Sequence, residues 1–260
     1  MLPDRITDRQ WSDFQERGYL HLGRAEVSEI ASLQRRIDEI MLGTAEIDYD
    51  EVMMQLDRSD GPDSRPGPQS KGHKGATLAY RKIQNLEIDP LFLAYLQKPL
   101  FRHICERTYG EETAVACYRA MFMNKPSGLG SHLIWHQDRW TALDRDPLVT
   151  VWTALDPATP ENGCVQIVPG SHQRLLNPEQ GSGFLSEEMA AGIAARADIE
   201  HLEMEAGQVA LLHNHLLHSS GVNRTRQSRR AFSVCYMEAA TVCSSGAAFP
   251  VVFGEGALAA

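Results

Sequence analysis

The stretch Trp135-His136-Gln137-Asp138-Arg139 places two metal-ligand side chains one residue apart. In an extended strand, residues i and i+2 face the same side, so His136 and Asp138 can reach one ion while Gln137 points away. Two neutral imidazoles and one carboxylate on one face of a metal are how proteins hold non-haem Fe(II) with coordination positions left open. The pattern therefore predicts a catalytic metal site whose third ligand comes from elsewhere in the chain.

A candidate third ligand, His218, follows 80 residues after Asp138, where an apolar, β-rich run (207–217) opens onto a polar turn. That separation leaves room for several antiparallel strands, which favours a closed β architecture. Arg229 follows eleven residues later at the start of another strand. Because alternate residues of a strand face opposite sides, only one of Arg229 and Arg230 can point inward.

Other histidines remain alternatives. His213 and His215 precede His218 closely enough to compete for the third ligand position across an irregular turn; otherwise each is a packed or solvent-facing histidine. His172 follows the turn signal Pro169-Gly170-Ser171, so we expect it to hold that turn by hydrogen bonding.

The chain order of helices first and strands afterwards predicts an α+β fold with a mainly β core, a double-stranded β-helix or jelly roll with N-terminal helices packed on it. A capping box at Thr7 and Gln10 predicts a short helix carrying Trp11, Phe14 and Tyr19. Further helices are predicted over 26–41, from Pro90, and from Pro99 to about Gly110. Strands are predicted over 113–123, 148–155, 164–168, 199–204, 209–213 and 230–237.

These motifs together resemble a known family. The segments are His136-x-Asp138, Glu161-Asn162-Gly163-Cys164, Val168-Pro169-Gly170-Ser171-His172, His218-Ser219-Ser220-Gly221-x-Asn223 and Arg229, and in order and spacing they look like the phytanoyl-CoA dioxygenase family of Fe(II) and 2-oxoglutarate dependent oxygenases. The resemblance includes the amino-terminal helical part and Tyr80-Arg81-Lys82-Ile83-Gln84. It fades in 43–76 and after about 240.

The resemblance implies roles for individual residues. His136, Asp138 and His218 would bind Fe(II), and the planar guanidinium of Arg229 would pair with the distal carboxylate of 2-oxoglutarate. The same resemblance assigns three more residues to the co-substrate site: Ser220, Trp152 and Lys82. O2 is the remaining co-substrate. Halogenating relatives carry a small residue at the ligand carboxylate, so the presence of Asp138 disfavours halogenation.

The implied reaction is hydroxylation of an unactivated C–H bond of a small metabolite, with release of succinate and CO2. Two alternatives come from other classes: a non-catalytic cupin-like binding domain, and a Zn-dependent hydrolase or isomerase on the same scaffold. The ligand set argues against the first, and an arginine at the 2-oxoglutarate position is unnecessary for the second.

Candidate substrate contacts are the residues that flank the ligands: Gln137, Trp135, Arg139 and Trp140. His132 is a further candidate, and the alternative for it is an exposed position. A small anionic or zwitterionic substrate is predicted, because positive charge is expected near the mouth of the site from Lys71, His73, Lys74, Arg81 and Arg139.

Length and composition predict one domain over residues 1–260, with a mainly helical part (1–112), a jelly-roll core (113–240) and a C-terminal tail (241–260). The loop 57–76 holds four glycines and three prolines and is interpreted as a lid over the iron or as an ordinary flexible insertion. A second insertion, roughly 174–197, is expected to border the pocket.

Charge and cysteine content exclude several classes. A net charge of −9 argues against a nucleic-acid or anionic-membrane partner, so the predicted partner is a small molecule, and the chain is expected to be a monomer or homodimer. The five cysteines have no zinc-like spacing, which fits a reducing compartment. The sequence shows no apolar core of a signal peptide, no run of about 20 apolar residues and no S-K-L terminus, so the cytoplasm is predicted.

Overall fold

The computed structural model describes residues 1–57, 66–178, 183–195 and 197–259. Within these residues the helices are α1 (Asp8–Arg17), α2 (Val27–Leu42), α3 (Pro90–Leu96), α4 (Pro99–Tyr109) and α5 (Glu187–Ala194). The strands are β1 (Tyr19–Arg24), β2 (Met53–Leu56), β3 (Ser70–Lys71), β4 (Tyr80–Gln84), β5 (Val115–Lys125), β6 (Leu133–His136), β7 (Val149–Ala154), β8 (Val165–Ile167), β9 (Glu200–Leu202), β10 (Gln208–His213), β11 (His218–Ser220), β12 (Arg229–Glu238) and β13 (Val251–Phe253).

The strands form two antiparallel sheets. The larger sheet has the strand order β1-β10-β7-β12-β5-β4-β2-β3, with β13 also paired to β5. The smaller sheet has the order β6-β11-β8-β9. One cavity is lined by side chains of both sheets, so the sheets enclose it between them. The predicted jelly roll is confirmed, and the strands predicted from periodicity are present, with ends that differ from the prediction by up to two residues.

The two faces of β12 serve different purposes because successive side chains alternate across a strand. Phe232 and Val234 pack against the helices, and the Phe92 and Phe232 ring centroids lie 4.8 Å apart. Burying each such side chain contributes roughly 1.5–3 kcal/mol. Arg229, Ser233 and Cys235 face the cavity instead. The helical layer thus stabilises the sheet from behind and leaves its front face for chemistry.

Helix α2 belongs to this helical layer and packs into the core through the apolar stripe that its sequence predicts. The side chains of this stripe are buried: Ile30, Leu33, Ile37, Ile40 and Met41. The helix ends at Gly43, whose φ of 75° is the left-handed conformation that glycine adopts most readily.

Helix α1 begins with the predicted capping box. The Gln10 N–H donates to Thr7 Oγ1 (3.2 Å), and the Thr7 N–H donates to Gln10 Oε1 (2.9 Å). The helix ends one residue before Gly18, which has a φ of 78°. The placement of Tyr19 on this helix is therefore wrong. Tyr19 begins β1 and pairs with Leu212 of β10, because the left-handed glycine turns the chain into the sheet.

Part of the region predicted to be mainly helical is strand. Strands β1 to β4 all precede residue 112, and β4 pairs with β5 through Lys82 and Met123. These short strands extend the larger sheet at both of its sides. Their shortness gives a weak periodic signal, which explains why the sequence pattern did not reveal them.

The interpretation of loop 57–76 as a lid falls in part on residues 58–65, which lie outside the described residues. The described remainder is tied to strand β2 and to helix α2. Met53 of β2 pairs with Lys71 of β3, and a ring nitrogen of His73 (Nε2) lies 3.0 Å from the Met41 carbonyl oxygen.

None of the helices in the described part of the chain combines the length and apolar character that crossing a bilayer requires.

Candidate metal centre and its cavity

Three predicted ligand residues converge at the open end of the smaller sheet. His136 ends β6, His218 begins β11, and the two are directly paired across the ladder. His136 Nε2 lies 3.6 Å from Asp138 Oδ1, and His218 Nε2 lies 3.9 Å from Asp138 Oδ2. One ion with metal–ligand distances of about 2.1 Å can bridge such separations. The ligand atoms of the three residues all lie within 4.8 Å of one another, so they form a group able to hold a metal ion.

Backbone carbonyls orient both imidazoles. The Nδ1–H of His136 donates to the Ile134 carbonyl oxygen (2.8 Å), and the Nδ1–H of His218 donates to that of Leu216 (2.8 Å). This arrangement fixes the tautomer and leaves each Nε2 lone pair facing Asp138. Burial, followed by the charge of His218, lowers the pKa of His136 to about 4. The His136 ring is therefore presented in the neutral form that a metal requires.

Asp138 follows the end of β6 rather than lying within it. Its N–H donates to the carbonyl oxygen of Asn214 (2.7 Å), the residue that follows β10. This hydrogen bond ties the backbone at Asp138 to the end of a strand of the larger sheet. The aromatic ring of Phe184 stacks on His136 with ring centroids 4.8 Å apart. The insertion over 174–197 thus borders the pocket through Phe184, while residues 179–182 and 196 lie outside the described residues.

The competing histidines occupy other roles. His213 Nδ1 accepts from the N–H of His215 (3.1 Å), and burial lowers the pKa of His213 to about 3. A ring nitrogen of His215 (Nε2) lies 3.3 Å from Asp146 Oδ2. The His172 ring packs beside that of His213, with ring centroids 4.9 Å apart. Its Nε2 lies 3.0 Å from the Gln15 carbonyl oxygen, so His172 joins the turn to α1. His213 lines the cavity, but neither it nor His215 belongs to the ligand group.

Arg229 lies in the same cavity with most of its hydrogen-bonding capacity unused. The residue is 2% exposed, and Nη2 donates to the Gly163 carbonyl oxygen at 3.1 Å. Its Nε and Nη1 are buried without a hydrogen-bond partner among the described residues. Burial lowers its pKa to about 10, so it remains a cation at neutral pH. A buried guanidinium with unused donors is costly unless an anion joins it, and a carboxylate fits its planar fork.

Gly163, in the Glu161-Asn162-Gly163-Cys164 motif, provides the carbonyl oxygen that accepts the hydrogen bond from Arg229. It has a φ of 77°, and a Cβ at this position would lie 2.5 Å from the Gly221 carbonyl oxygen. Only glycine permits both the conformation and the close approach.

Arg230 faces the opposite side of β12. Its Nε donates to Asp156 Oδ2 (2.7 Å) and its Nη1 to Asp38 Oδ1 (2.6 Å). It thus joins α2 to the sheet. The expectation that only one of the two arginines points inward holds, and Arg229 is that residue.

The three further residues assigned to the co-substrate all line the cavity. Ser220 and Trp152 are buried, and the Arg229 guanidinium carbon lies 5.8 Å from the Trp152 ring centroid. Lys82 reaches the cavity from β4. Burial, followed by the charges of Arg81 and Arg119, lowers the pKa of Lys82 to about 8.

The predicted substrate contacts separate into two groups. Arg139 and Trp140 line the cavity. Gln137 and Trp135 are not among the residues that line it, so their expected place in the pocket is wrong. For His132, which does not line the cavity either, the structure favours the alternative. His132 is exposed. Gln137 is buried, and its Nε2 donates to three carbonyl oxygens, those of His215 (2.7 Å), Arg174 (2.9 Å) and Ser171 (3.3 Å). Its role is to hold the loops around the ligands.

The predicted sources of positive charge also need correction. Lys71, His73, Lys74 and Arg81 do not line the cavity. Lys71 pairs with Glu51 (2.8 Å) at the edge of the larger sheet, and Arg81 donates to Gln55 Oε1 (3.3 Å). The cations that do line the cavity are Lys82, Arg119, Arg139 and Arg229. Arg119 was not predicted as a site residue, because no site motif lies near it in the chain.

The cavity has a volume of about 520 Å³. Beyond the charged groups, its lining is mostly apolar and includes Met121, Met123, Leu133, Val165, Ile167 and Leu216. Apolar walls lower the local dielectric, which strengthens the electrostatic interactions of the charged groups among them.

A double-stranded β-helix with a histidine–aspartate–histidine group and a buried arginine in one cavity is the arrangement of the jelly-roll metal-dependent oxygenases. The family model described as phytanoyl-CoA dioxygenase (PhyH) matches residues 14–231, and the chain belongs to this family. A relative described as phytanoyl-CoA dioxygenase from Arabidopsis thaliana is 24% identical over 255 residues, which cover 90% of this chain and 89% of the relative.

Solved structures share the fold. EctD from S. alaskensis, solved with 2-oxoglutarate and 5-hydroxyectoine, is 22% identical with a TM-score of 0.70, covering 92% of this chain and 78% of that one. EctD has also been solved with bound Fe. SnoK, described as a non-haem α-ketoglutarate-dependent carbocyclase from nogalamycin biosynthesis, is 18% identical with a TM-score of 0.70, covering 93% of this chain and 87% of that one.

Proposed function

We propose that this protein is an Fe(II)- and 2-oxoglutarate-dependent dioxygenase that hydroxylates an unactivated C–H bond of a small metabolite. The balanced reaction is R–H + O2 + 2-oxoglutarate → R–OH + succinate + CO2. One observation carries the proposal: the His136, Asp138 and His218 group shares its cavity with Arg229, whose Nε and Nη1 are buried without a partner among the described residues.

The side chains would divide the work as follows. His136, Asp138 and His218 would hold the iron on one side and leave positions open on the other. Arg229 would bind the distal carboxylate of 2-oxoglutarate, beside Ser220 and Trp152 in the same lining. Iron and 2-oxoglutarate supply, when bound, the oxidant derived from O2. The apolar walls would exclude water and orient the substrate C–H bond.

Two observations disfavour the other classes. A binding domain without turnover does not need two imidazoles fixed in the metal-binding tautomer by backbone carbonyls. A Zn-dependent hydrolase or isomerase does not need a buried guanidinium beside its metal. A cytoplasmic location and a monomeric or dimeric state stay predictions from the sequence.

Succinate release tests the proposal. Purified anaerobically, loaded with Fe(II) and then given 2-oxoglutarate and O2, the protein should release succinate slowly even without its substrate. His136→Ala, Asp138→Ala and His218→Ala should abolish this release, and Arg229→Ala should weaken it. Undiminished turnover after removal of iron would contradict the proposal. With a substrate in hand, an oxygen atom from O2 in the product would distinguish hydroxylation from ring closure or desaturation.

A further inference from the structure

Arg119 faces the cavity in the same alternating row of β5 as Met121 and Met123, and an irregularity in β5 brings Tyr118 into the cavity beside it. Cys235 pairs with Arg119 and Tyr236 pairs with Cys117, so Tyr118 is an extra residue on β5. Such a β-bulge changes the alternation of side chains. Cys117 therefore packs in the helical core, while the consecutive residues Tyr118 and Arg119 both line the cavity. Bulges next to active sites commonly redirect a side chain in this way.

Aromatic rings hold the Arg119 guanidinium in place. Its central carbon lies 4.8 Å from the Tyr118 ring centroid and 5.0 Å from that of Trp140. Nη2 donates to the Tyr118 hydroxyl oxygen (3.3 Å). Among the described residues, no carboxylate forms an ion pair with Arg119. Stacked aromatics orient a guanidinium without neutralising it, so it remains able to bind an anion.

The other cations of the cavity are either engaged with neighbouring groups or lie closer to Arg229. Arg139 Nη1 donates to the Pro178 carbonyl oxygen (2.7 Å), and its Nε lies 3.9 Å from Asp146 Oδ2. Lys82 is paired across the sheet with Met123, which on β5 is four residues from Arg119 and two residues from Lys125, the partner of Arg229. Near Asp138 and Trp140, Arg119 is thus the cavity guanidinium without an ion pair among the described residues, and one guanidinium matches a monoanionic group such as a carboxylate better than a phosphate dianion.

Arg119 lies at the opposite end of the cavity from Arg229. In the ladder Arg119 pairs with Cys235, six residues along β12 from Arg229. Six residues of strand place the two ends of this stretch roughly 20 Å apart. The four carbon–carbon bonds of 2-oxoglutarate span only about 5 Å. One molecule held by Arg229 therefore leaves Arg119 free. Trp140, which contacts Arg119, is two residues from the ligand Asp138, so Arg119 lies on the side of the cavity next to the metal group.

We propose that Arg119 is a specificity-determining residue that binds a carboxylate group of the substrate, at the end of the cavity opposite the 2-oxoglutarate arginine. The proposal rests on the proposed function, because it takes Arg229 as the residue that binds the co-substrate. It predicts a substrate with a carboxylate at one end and an apolar body against Trp140 and Phe184, which line the same cavity.

Calorimetric binding to the anaerobic enzyme loaded with Fe(II) and saturating 2-oxoglutarate tests this inference. The probes are 3-phenylpropanoate and its neutral counterpart 3-phenylpropanamide, which differ in charge but hardly in size. Saturating 2-oxoglutarate occupies Arg229, so the probe reports on the rest of the cavity. The acid should bind on the order of tenfold tighter than the amide, the range expected for a hydrogen-bonded charge.

Arg119→Met should abolish the preference for the acid, and Arg119→Lys should keep part of it. Arg102→Met is the matched control, because Arg102 is an exposed arginine on α4 whose side chain pairs with Glu106. This control should keep the full preference. Equal binding of acid and amide by the unaltered protein, or no binding of either, would overturn the inference without reference to any variant. Failure of the proposed function would appear separately, as absence of succinate from the unaltered protein.

Discussion

His136 and His218 lie directly opposite each other in the antiparallel pair of β6 and β11, with ring centroids 4.1 Å apart. Side chains on directly opposed residues are the closest pairs that an antiparallel ladder offers. A slip of one residue would turn one imidazole to the other face of the sheet. The metal group therefore depends on a single register, and its geometry is set by the fold before any metal binds.

The ligand assignment predicts a sharp contrast between two neighbouring histidines. His218→Ala should lower the affinity for Fe(II) by at least about 100-fold, because the third ligand is lost. His215→Ala removes the contacts with Asp146 and with the His213 ring, neither of which belongs to the ligand group, and should leave iron binding within a few-fold of the unaltered protein. Iron titration under anaerobic conditions measures both. Equal losses in the two variants would show that the ligand group is assigned incorrectly.

Arg229 and Arg230 provide a matched pair of lysine substitutions. Arg229→Lys keeps the charge but loses the planar fork, so the KM for 2-oxoglutarate should rise by about 10- to 100-fold. Arg230→Lys breaks the links to Asp156 and Asp38 instead and should lower thermal stability while leaving that KM unchanged. Steady-state succinate release and thermal melting separate the effects. An unchanged KM in Arg229→Lys would exclude this arginine from the co-substrate site.

Gln137 should act through stability and not through substrate choice. Gln137→Glu would place a carboxylate against three carbonyl oxygens in a buried position, which should cost about 3 kcal/mol or more of unfolding free energy. Gln166→Glu at a partly exposed site on β8 is the control and should change the free energy by less than about 0.5 kcal/mol. Denaturant unfolding measures both. A stable Gln137→Glu enzyme would contradict the structural role.

Glu87 predicts a specific pH dependence of stability. Burial raises the pKa of its carboxyl from 4.5 to about 7 in the folded protein. The folded state thus keeps the proton to higher pH than the unfolded chain, so the free energy of unfolding falls as the pH rises from about 4.5 to about 7. Glu87→Gln should remove this loss. Between pH 4 and pH 8, its unfolding free energy should therefore rise by roughly 1–3 kcal/mol relative to that of the unaltered protein.

The control for this effect is Glu111→Gln, at an exposed position after α4. Urea unfolding at pH 4, 6 and 8 compares the two variants with the unaltered protein. If Glu87→Gln and the unaltered protein show the same change in stability between pH 4 and pH 8, the raised pKa does not affect folding.

Sequence patterns predicted the helices with strong local signals. The Thr7 capping box and the apolar stripe of α2 depend on neighbours three and four residues away, so they are visible in the chain itself. Tyr19 was assigned to α1 because the apolar spacing continued past Gly18. The left-handed conformation of that glycine ended the helix, and pairing with β10 then placed Tyr19 in a strand.

The errors about the cavity share another cause. Gln137 and Trp135 were expected in the pocket because they flank the ligands, but adjacency in sequence does not specify which surface a side chain meets. Conversely, Arg119 lines the cavity because it pairs with Cys235 on the cavity face of β12, and Tyr118 joins it there because Tyr118 is inserted into β5. A bulge is created by pairing with a distant strand, so no local pattern announces it.

The chain alone specified which chemistry is available: two imidazoles, one carboxylate and an arginine at characteristic separations, with enough alternating segments for a β core. Those properties are local or follow from residue type. Strand pairing determined which histidine meets Asp138, which arginine faces inward and which cations surround the substrate space. These depend on contacts between residues up to about a hundred positions apart, and such contacts exist only once the sheets have formed.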